Sequence, residues 1–462
     1  MKILKILLTL FILLCTVSLA DAKTKSNSNE NYRLEYLNLD WWQKYNDPIL
    51  TDYISTAFKN NQDLKIATLN VKQSEQVVKM AFAGQLPQVG FQGDVFRDFR
   101  SANVKLGDVI VKDYSQSNFF LPLTMSYEVD IWGENYLKTK SFKKQLEMVK
   151  QNERASYISL TSAVASEYFN LVKLDKLIKN QQELVKLQTE IVRLEDLKYK
   201  NGLCPITELM DEKQLLTQLQ EKLNVYIDKR IIVGRALGVL TGEREKDLSL
   251  MPRSDYSIIT LLPLPDSINA EVIQYRPDFM KAEEYIQKIG IDVKVAKRDF
   301  LPKFILYGQA GFSAYNLTNI FGNHTFKSLV GFMPSIDLFT GGAKMARLRY
   351  NKLELEKAQQ IYEKTILTSI QEVNNSLGGA LTRELNYNES VKRYNLENDK
   401  FNLAQKKFDI GAKSNLEMMK DREKLLVAEK DKVNSQVNYL ISTLSIYKAV
   451  GGNDFTTINE KL

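Results

Sequence analysis

His324 is the single histidine in 462 residues, and Cys15 and Cys204 are the two cysteines. An imidazole-activated nucleophile needs a Ser-His-Asp or Cys-His set, and an ordinary zinc site needs several histidines or cysteines. These residues supply neither, so the expectation is no enzyme, no cofactor and no metal. The 56 acidic residues are interleaved with 63 basic ones, and the net charge of +7 is mild for this length. Such interleaving describes solvated helical faces and argues against nucleic-acid binding. Two charged segments stand out because they read alike: LKYKNGLCPITELMDEKQLL, Leu197 to Leu216, and KKFDIGAKSNLEMMKDREKLL, Lys406 to Leu425. They align at Gly202 and Gly411, which suit the left-handed residue that ends a helix. Each then becomes a tight turn between antiparallel helices, with charges grouped beside it.

The elements that hold these turns are written twice along the chain. Pro87 of GQLPQVGFQGDVF is echoed by Pro302 of DFLPKFILYGQAGF, 215 residues on; Asp130 is echoed by Asp337 after 207, and Gly202 by Gly411 after 209. The shortening by eight residues falls between the Leu-Pro and the Asp, where a loop absorbs it. In SYEVDIWGENYLKTKSFKKQLE, Ser126 to Glu147, strand alternation gives way to helical spacing, and PSIDLFTGGAKMARLRYNKLELEK, Pro334 to Lys357, does the same. Each copy therefore reads helix, strand, loop, strand, long helix, tight turn, helix.

The expected layout is a signal peptide at 1–22 and a first repeat at 23–240, with strands about 88–99 and 117–131 and helices about 134–200 and 205–240. A linker occupies 241–266. The second repeat, 267–452, has strands about 303–314 and 327–339 and helices about 343–410 and 414–449, and a tail occupies 453–462. The opening helices are expected at about Asp47 to Ala83 and Ser267 to Phe300. Leu184, Leu187, Ile191, Leu194 and Leu197 step by three and four, a coiled-coil seam, as do Leu215, Leu219, Leu223 and Tyr226.

The N-terminus has Lys2 and Lys5, an apolar run from Ile6 to Leu19 and the small-residue site Ala20-Asp21-Ala22, the pattern of a cleaved secretory signal. Leu14 before Cys15 argues against lipidation; if Cys15 leaves with the signal, Cys204 is the only cysteine of the mature chain and no internal disulfide can form. No later segment approaches 18 unbroken apolar residues. Segments of about ten residues with two-sided alternation fit membrane β-barrel strands, and a half-buried soluble sheet gives the same alternation. Export tips the balance, because a chain without a spanning helix crosses lipid only as a closed barrel. Four strands cannot close alone, since the smallest single-chain barrels use about eight. Three chains would supply about twelve.

With these residues in view, the chain resembles the TolC-like outer-membrane factors, and within them the OprM-like channels of resistance-nodulation-division efflux systems. The likeness runs from about Trp41 to Gly452 through WWQKYNDPIL, NNQDLKIA at Asn60, YEVDIWG at Tyr127, YRPDFMKAEEYI at Tyr275 and AKRDFLPKF at Ala296. The resemblance implies a mainly α chain with a β-barrel portion: a homotrimer whose protomers give four strands each to a shared twelve-stranded barrel, continued by a long periplasmic α-helical coiled-coil barrel. It implies an equatorial domain built from the N-terminal segment, the linker and the tail. It places the protein in the outer membrane of a Gram-negative bacterium, amid outer-membrane lipid. The implied function is the exit duct of a tripartite efflux pump, passing small toxic compounds unchanged, with a periplasmic membrane-fusion adaptor and an inner-membrane resistance-nodulation-division transporter as partners. The alternatives are the exit duct of a type I protein secretion system and a periplasmic coiled-coil scaffold.

In this family the second-copy hairpin closes the tunnel at its periplasmic end. Carried over by position from Gly411, the constricting apolar residue falls on Leu416. The positions where relatives place aspartates fall on Glu417 and Lys420, with Asp421 beside them. Lys420 departs from that acidic pattern. Its first-copy equivalent is Asp211, and that of Asp421 is Glu212. The expectation is that Asp211 and Lys420 pair across the hairpin tips, with Glu212 as a second partner. The turns at Gly202 and Gly411 then lie near the adaptor, and Cys204-Pro205 reads as a plain turn.

Overall fold

The computed structural model describes residues 41–100, 105–106, 109–110, 114–243, 251–254, 256 and 259–455. The signal segment, Cys15 and part of the linker and tail lie outside the described residues. The rest divides into two compact units.

The first unit takes the described residues to Ile66, Glu153–Pro277 and the chain from Leu367 onward. Its core gathers the 3-10 turn Trp41–Tyr45, helix α1 (Pro48–Asn60), the middle of a long helix and the end of the last one. Trp41 stacks on Tyr447 with ring centroids 4.1 Å apart, and Tyr45 shares a 2.5 Å hydrogen bond with Thr443. Asp47 caps α1 by accepting from the amides of Ile49 and Leu50. The same carboxylate accepts from the Tyr168 hydroxyl at 2.6 Å and the Ser254 hydroxyl at 2.7 Å. One buried carboxylate thus ties the N-terminal segment, a long helix and the linker together.

Both expected opening helices are interrupted, and in each a buried side chain marks the break. Asp47 to Ala83 is two helices, α1 and α2 (Gln62–Ala83), parted by Asn61 in extended backbone. Asn61 donates to the Leu240 carbonyl and accepts from the Leu64 amide, so its side chain replaces helical bonds lost at the break. Four long helices make up about half of the described residues: α3 (Glu134–Lys200), α4 (Ile206–Thr241), α6 (Ala343–Asp409) and α7 (Asn415–Ala449). Between α4 and α6 lies the second opening helix. There a 3-10 turn, Ala270–Tyr275, ends at Arg276, and α5 (Pro277–Arg298) begins only after it. The residue before a proline avoids the helical region. Buried Arg276 donates to the Ala449 carbonyl and to Glu372.

Each of the 67-residue helices, α3 and α6, spans roughly 100 Å at about 1.5 Å per residue. Among the described residues, no helix is long and apolar enough to cross a membrane.

The second unit, Ala67–Asn152 and Asp278–Ile366, holds an antiparallel sheet. Its strands are β1 (Gln88–Phe91), β2 (Asp94–Arg100), β5 (Tyr114–Glu128), β6 (Lys303–Ala314) and β7 (Phe326–Ser335). A small separate hairpin, β3 (Lys105–Leu106) with β4 (Val109–Ile110), adds to the expected strands. The expected strand 88–99 is broken at Gln92-Gly93, and both halves pair with β5, so the sheet has four lanes. β6 pairs β5 from Phe119↔Ala314 to Glu128↔Ile305, and β7 pairs β6 from Lys303↔Ser335 to Phe312↔Phe326. β5 starts and stops three residues earlier than expected, and β7 ends at Ser335, not 339. Beyond β5 the chain turns at Asp130, whose carboxylate accepts from the Tyr136 amide and opens α3. Neither β1/β2 nor β7 has a further partner among the described residues, and much of the sheet's apolar surface is exposed on both faces.

Candidate functional site

Both hairpin turns lie in the first unit. α3 ends at Gly202 with φ 68°, and α6 at Gly411 with φ 73°. In each the amide after the glycine bonds back five residues, Leu203 to the Lys198 carbonyl and Ala412 to that of Lys407. The glycine amides bond to Tyr199 and Phe408. These are matched Schellman closures, which satisfy helix-end carbonyls and require a left-handed residue.

The two turns differ in how the next helix starts. α4 begins after Pro205 with no side-chain cap. α7 begins with a capping box, in which Ser414 accepts from the Glu417 amide and the Glu417 carboxylate accepts from Ser414. The backbone bond from Ser414, then its hydroxyl, hold Glu417 below the usual carboxylate range. In the structure Glu417, expected as a gate charge, builds the helix start. The Ser-x-x-Glu spacing from 414 to 417 carries that signal in the sequence.

Leu416 is 9% exposed and borders a groove of about 290 Å³ with Leu194, Leu197, Lys198, Asn201, Leu203 and Asn415. Within one chain it packs against the first hairpin. Asp421 pairs with Lys413 and, at 3.4 Å, with Lys424. Burial raises its pKa, and the two lysines more than offset that, so Asp421 stays below its ordinary value.

Lys420 does reach across to the first copy, but its partner is Glu212 at 2.8 Å, with Glu195 at 3.9 Å. Asp211 sits one residue earlier, on the exposed side of α4. Burial pushes Glu212 up, while bonds from Lys420 and Gln188 outweigh it and bring the pKa below normal. Lys420 is shifted upward, chiefly by its bond to Glu212. The register is thus one residue off the simple alignment of the copies, because Glu212 is the residue of that pair turned toward α3 and α7.

The seam on α3 is also displaced from the expected leucine line. Its buried line runs through Leu177, Gln181, Leu184, Gln188, Ile191 and Glu195, stepping by three and four, with Ile178 and Asn180 buried beside it. Gln181 donates to the Leu219 carbonyl and Gln188 to that of Glu212 and to its side chain. Polar rungs seven residues apart thus read the backbone of α4. Leucine steps mask them in the sequence, although glutamines at 181 and 188 repeat at a heptad.

The comparisons with known proteins agree with this architecture. The family model for outer membrane efflux proteins matches residues 53–243 and 270–452, and the chain belongs to that family. The family consists of transport ducts rather than enzymes. Curated relatives include the toluene efflux pump outer membrane protein TtgC of Pseudomonas putida, 26% identical over 420 residues, covering 89% of this chain and 84% of that protein. Another is the pyoverdine export outer membrane protein OpmQ of Pseudomonas aeruginosa, 23% identical over 428 residues, covering 89% and 87%. Among solved structures, the CmeC outer membrane channel of Campylobacter jejuni superposes with a TM-score of 0.81 at 23% identity, covering 92% of this chain and 91% of that one. That likeness concerns the fold: long helices with a β portion, as in TolC-like channels.

Proposed function

We propose that this chain is the outer-membrane exit duct of a tripartite efflux system. The observation that carries the reading is a four-lane sheet, exposed on both faces and unpartnered at both edges among the described residues, carried by a chain of the efflux-channel family. Lipid satisfies no backbone edge, so such a sheet is stable in a membrane only when other chains close it. Three protomers would give the twelve strands of one barrel, with the long helices as its periplasmic continuation. The core of Trp41, the linker and the end of α7 would form the equatorial region. Small toxic compounds would pass unchanged, with an adaptor docked at the Gly202 and Gly411 turns and an inner-membrane resistance-nodulation-division pump behind it. The resting gate would be the second hairpin, held through Lys420 and Glu212, with Leu416, Glu417 and Asp421 shaping it. Planar-bilayer recording of the purified protein tests this. Small, flickering currents should become large when Leu416, Glu417 and Lys420 are changed together to small neutral residues. A folded protein that passes no current in either form would remove the channel.

A further inference from the structure

The first hairpin carries a donor set that neither its sequence neighbours nor the channel function requires. One oxygen each of Glu195 and Glu208 and the Sγ of Cys204 all lie within 4.8 Å of one another. Glu195 belongs to the last turns of α3, Cys204 to the turn itself and Glu208 to the first turn of α4. The side chain of Glu195 is the deciding one. It is only 2% exposed, its Oε1 faces Lys198 at 3.4 Å and Lys420 at 3.9 Å, and its buried Oε2 has no hydrogen-bond partner. Burying a carboxylate oxygen without a partner is costly. The Cys204 Sγ meanwhile lies 3.6 Å from the backbone carbonyl of Glu195, which it meets as a donor.

We propose that Glu195, Cys204 and Glu208 form a binding site for a borderline-soft divalent cation of zinc's class. The donor chemistry selects it. Zinc takes thiolate and carboxylate together in a tetrahedron, whereas magnesium and calcium prefer oxygen alone and copper(I) prefers sulfur. Three protein ligands leave the fourth position to water. Binding deprotonates the thiol and releases that proton to solvent. The cation takes a carboxylate oxygen of Glu195 in place of the looser approach of Lys198 and Lys420, and Lys420 keeps Glu212. The metal would thereby staple the end of α3 to the start of α4 across a turn that lacks the capping box present at the other hairpin. No sequence motif marks the site, because the two carboxylates straddle the turn at positions 195 and 208 and only the folded hairpin brings them to the thiol.

The test is titration of the purified full-length protein in detergent with cobalt(II), then zinc(II). The expected result is a thiolate-to-cobalt charge-transfer band in the near ultraviolet that saturates at one cobalt per chain and is bleached by zinc. Cys204→Ser should abolish the band while circular dichroism stays unchanged. Glu208→Gln, at an exposed position, should weaken cobalt binding by about tenfold or more with circular dichroism unchanged, on the scale by which lost metal-site groups reduce affinity. Glu195→Gln should do the same. No band, an undiminished band in Cys204→Ser, or unchanged affinity in Glu208→Gln would each overturn the site.

Discussion

Helices α3 and α6 are equivalent by position in the two copies and equal in length, yet they are buried very differently. α3 runs through the chain's own core, with Val164, Tyr168, Phe169 and Leu171 fully covered. The buried apolar residues of α6 are Ala358, Val373, Leu377, Ala380 and Ala404, mostly small ones. Its larger residues, Leu367, Leu385, Leu396 and Leu403, stand more than half exposed. Leu396, Leu403 and exposed Ile410 repeat every seven residues, the spacing of a coiled-coil seam. Duplication has therefore produced one helix that supplies the interior of a protomer and one that offers an apolar stripe to something outside it. A closed ring of chains needs both kinds.

The largest break in that comparison should come from α3. Phe169 is fully buried, with the Tyr45 ring 5.2 Å away and the Tyr168 ring 5.9 Å away. Phe169→Ala should cost about 3–5 kcal/mol through lost burial and the cavity left behind. Thermal unfolding followed by circular dichroism would register it as a large drop in midpoint. An unchanged midpoint would mean that α3 is not the interior element.

On α6 the expected effect moves from folding to assembly. Leu396→Asp combined with Leu403→Asp removes two apolar anchors, each worth about 1.5–3 kcal/mol when buried against a neighbour. The helical signal should persist while the proposed trimer dissociates, read by light scattering on the purified protein. Loss of helical signal together with the oligomer would place these leucines inside the protomer fold and erase the contrast with α3.

The duplicated plan, the long helices and the two glycine turns are legible in the sequence because they are written in local chemistry: alternation, proline placement and a glycine at each helix end. Three features are not. The breaks at Asn61 and Arg276 depend on partners far along the chain, Leu240 for one and Glu372 and Ala449 for the other. Leucine spacing points to one seam on α3, while burial follows Gln181, Gln188 and Glu195, which are held inside by partners on α4 and α7. Alignment of the two copies alone pairs Lys420 with Asp211. Which of two adjacent acidic residues faces inward is set by the rotation of α4, and it is Glu212.

A smaller effect separates the turns themselves. Gly411→Ala puts a Cβ on a residue at φ 73°, where an L side chain costs about 1–2 kcal/mol. The second hairpin should loosen, and single-channel records should show longer openings. Gly202→Ala carries the same backbone cost on the first hairpin, at φ 68°. If the gate belongs to the second copy, Gly202→Ala should lower stability as much and change the openings less. Equal effects on gating would assign the closed state to both hairpins jointly.

The smallest effect, and the most direct on the proposed gate, concerns Lys420 and Glu212. Lys420 is 43% exposed, so solvent screens the pair, and it is worth only about 0.2–1 kcal/mol per protomer. Lys420→Glu sets a third carboxylate near Glu212 and Glu195 and should raise open probability several-fold. Adding Glu212→Lys should bring it back, and failure of the double variant to do so would sink the pairing. The pH dependence comes from the directions of the two shifts. Glu212 lies below its ordinary carboxylate value in the folded state, so its contribution is present above that value and is lost as pH falls through the depressed one. Lys420 lies above its ordinary value, so its contribution is fully present below that value and is lost only as pH rises through the raised one. Conductance should therefore be flat from about pH 5 to 9 and increase below about pH 4, given ordinary carboxylate pKa values near 4.3. In Lys420→Met the part of the acid step that comes from this pair should vanish, because Glu212 then has no lysine to lose. An acid step of undiminished size in Lys420→Met would assign it to other carboxylates, with Asp421 and its partners Lys413 and Lys424 the next pair to test.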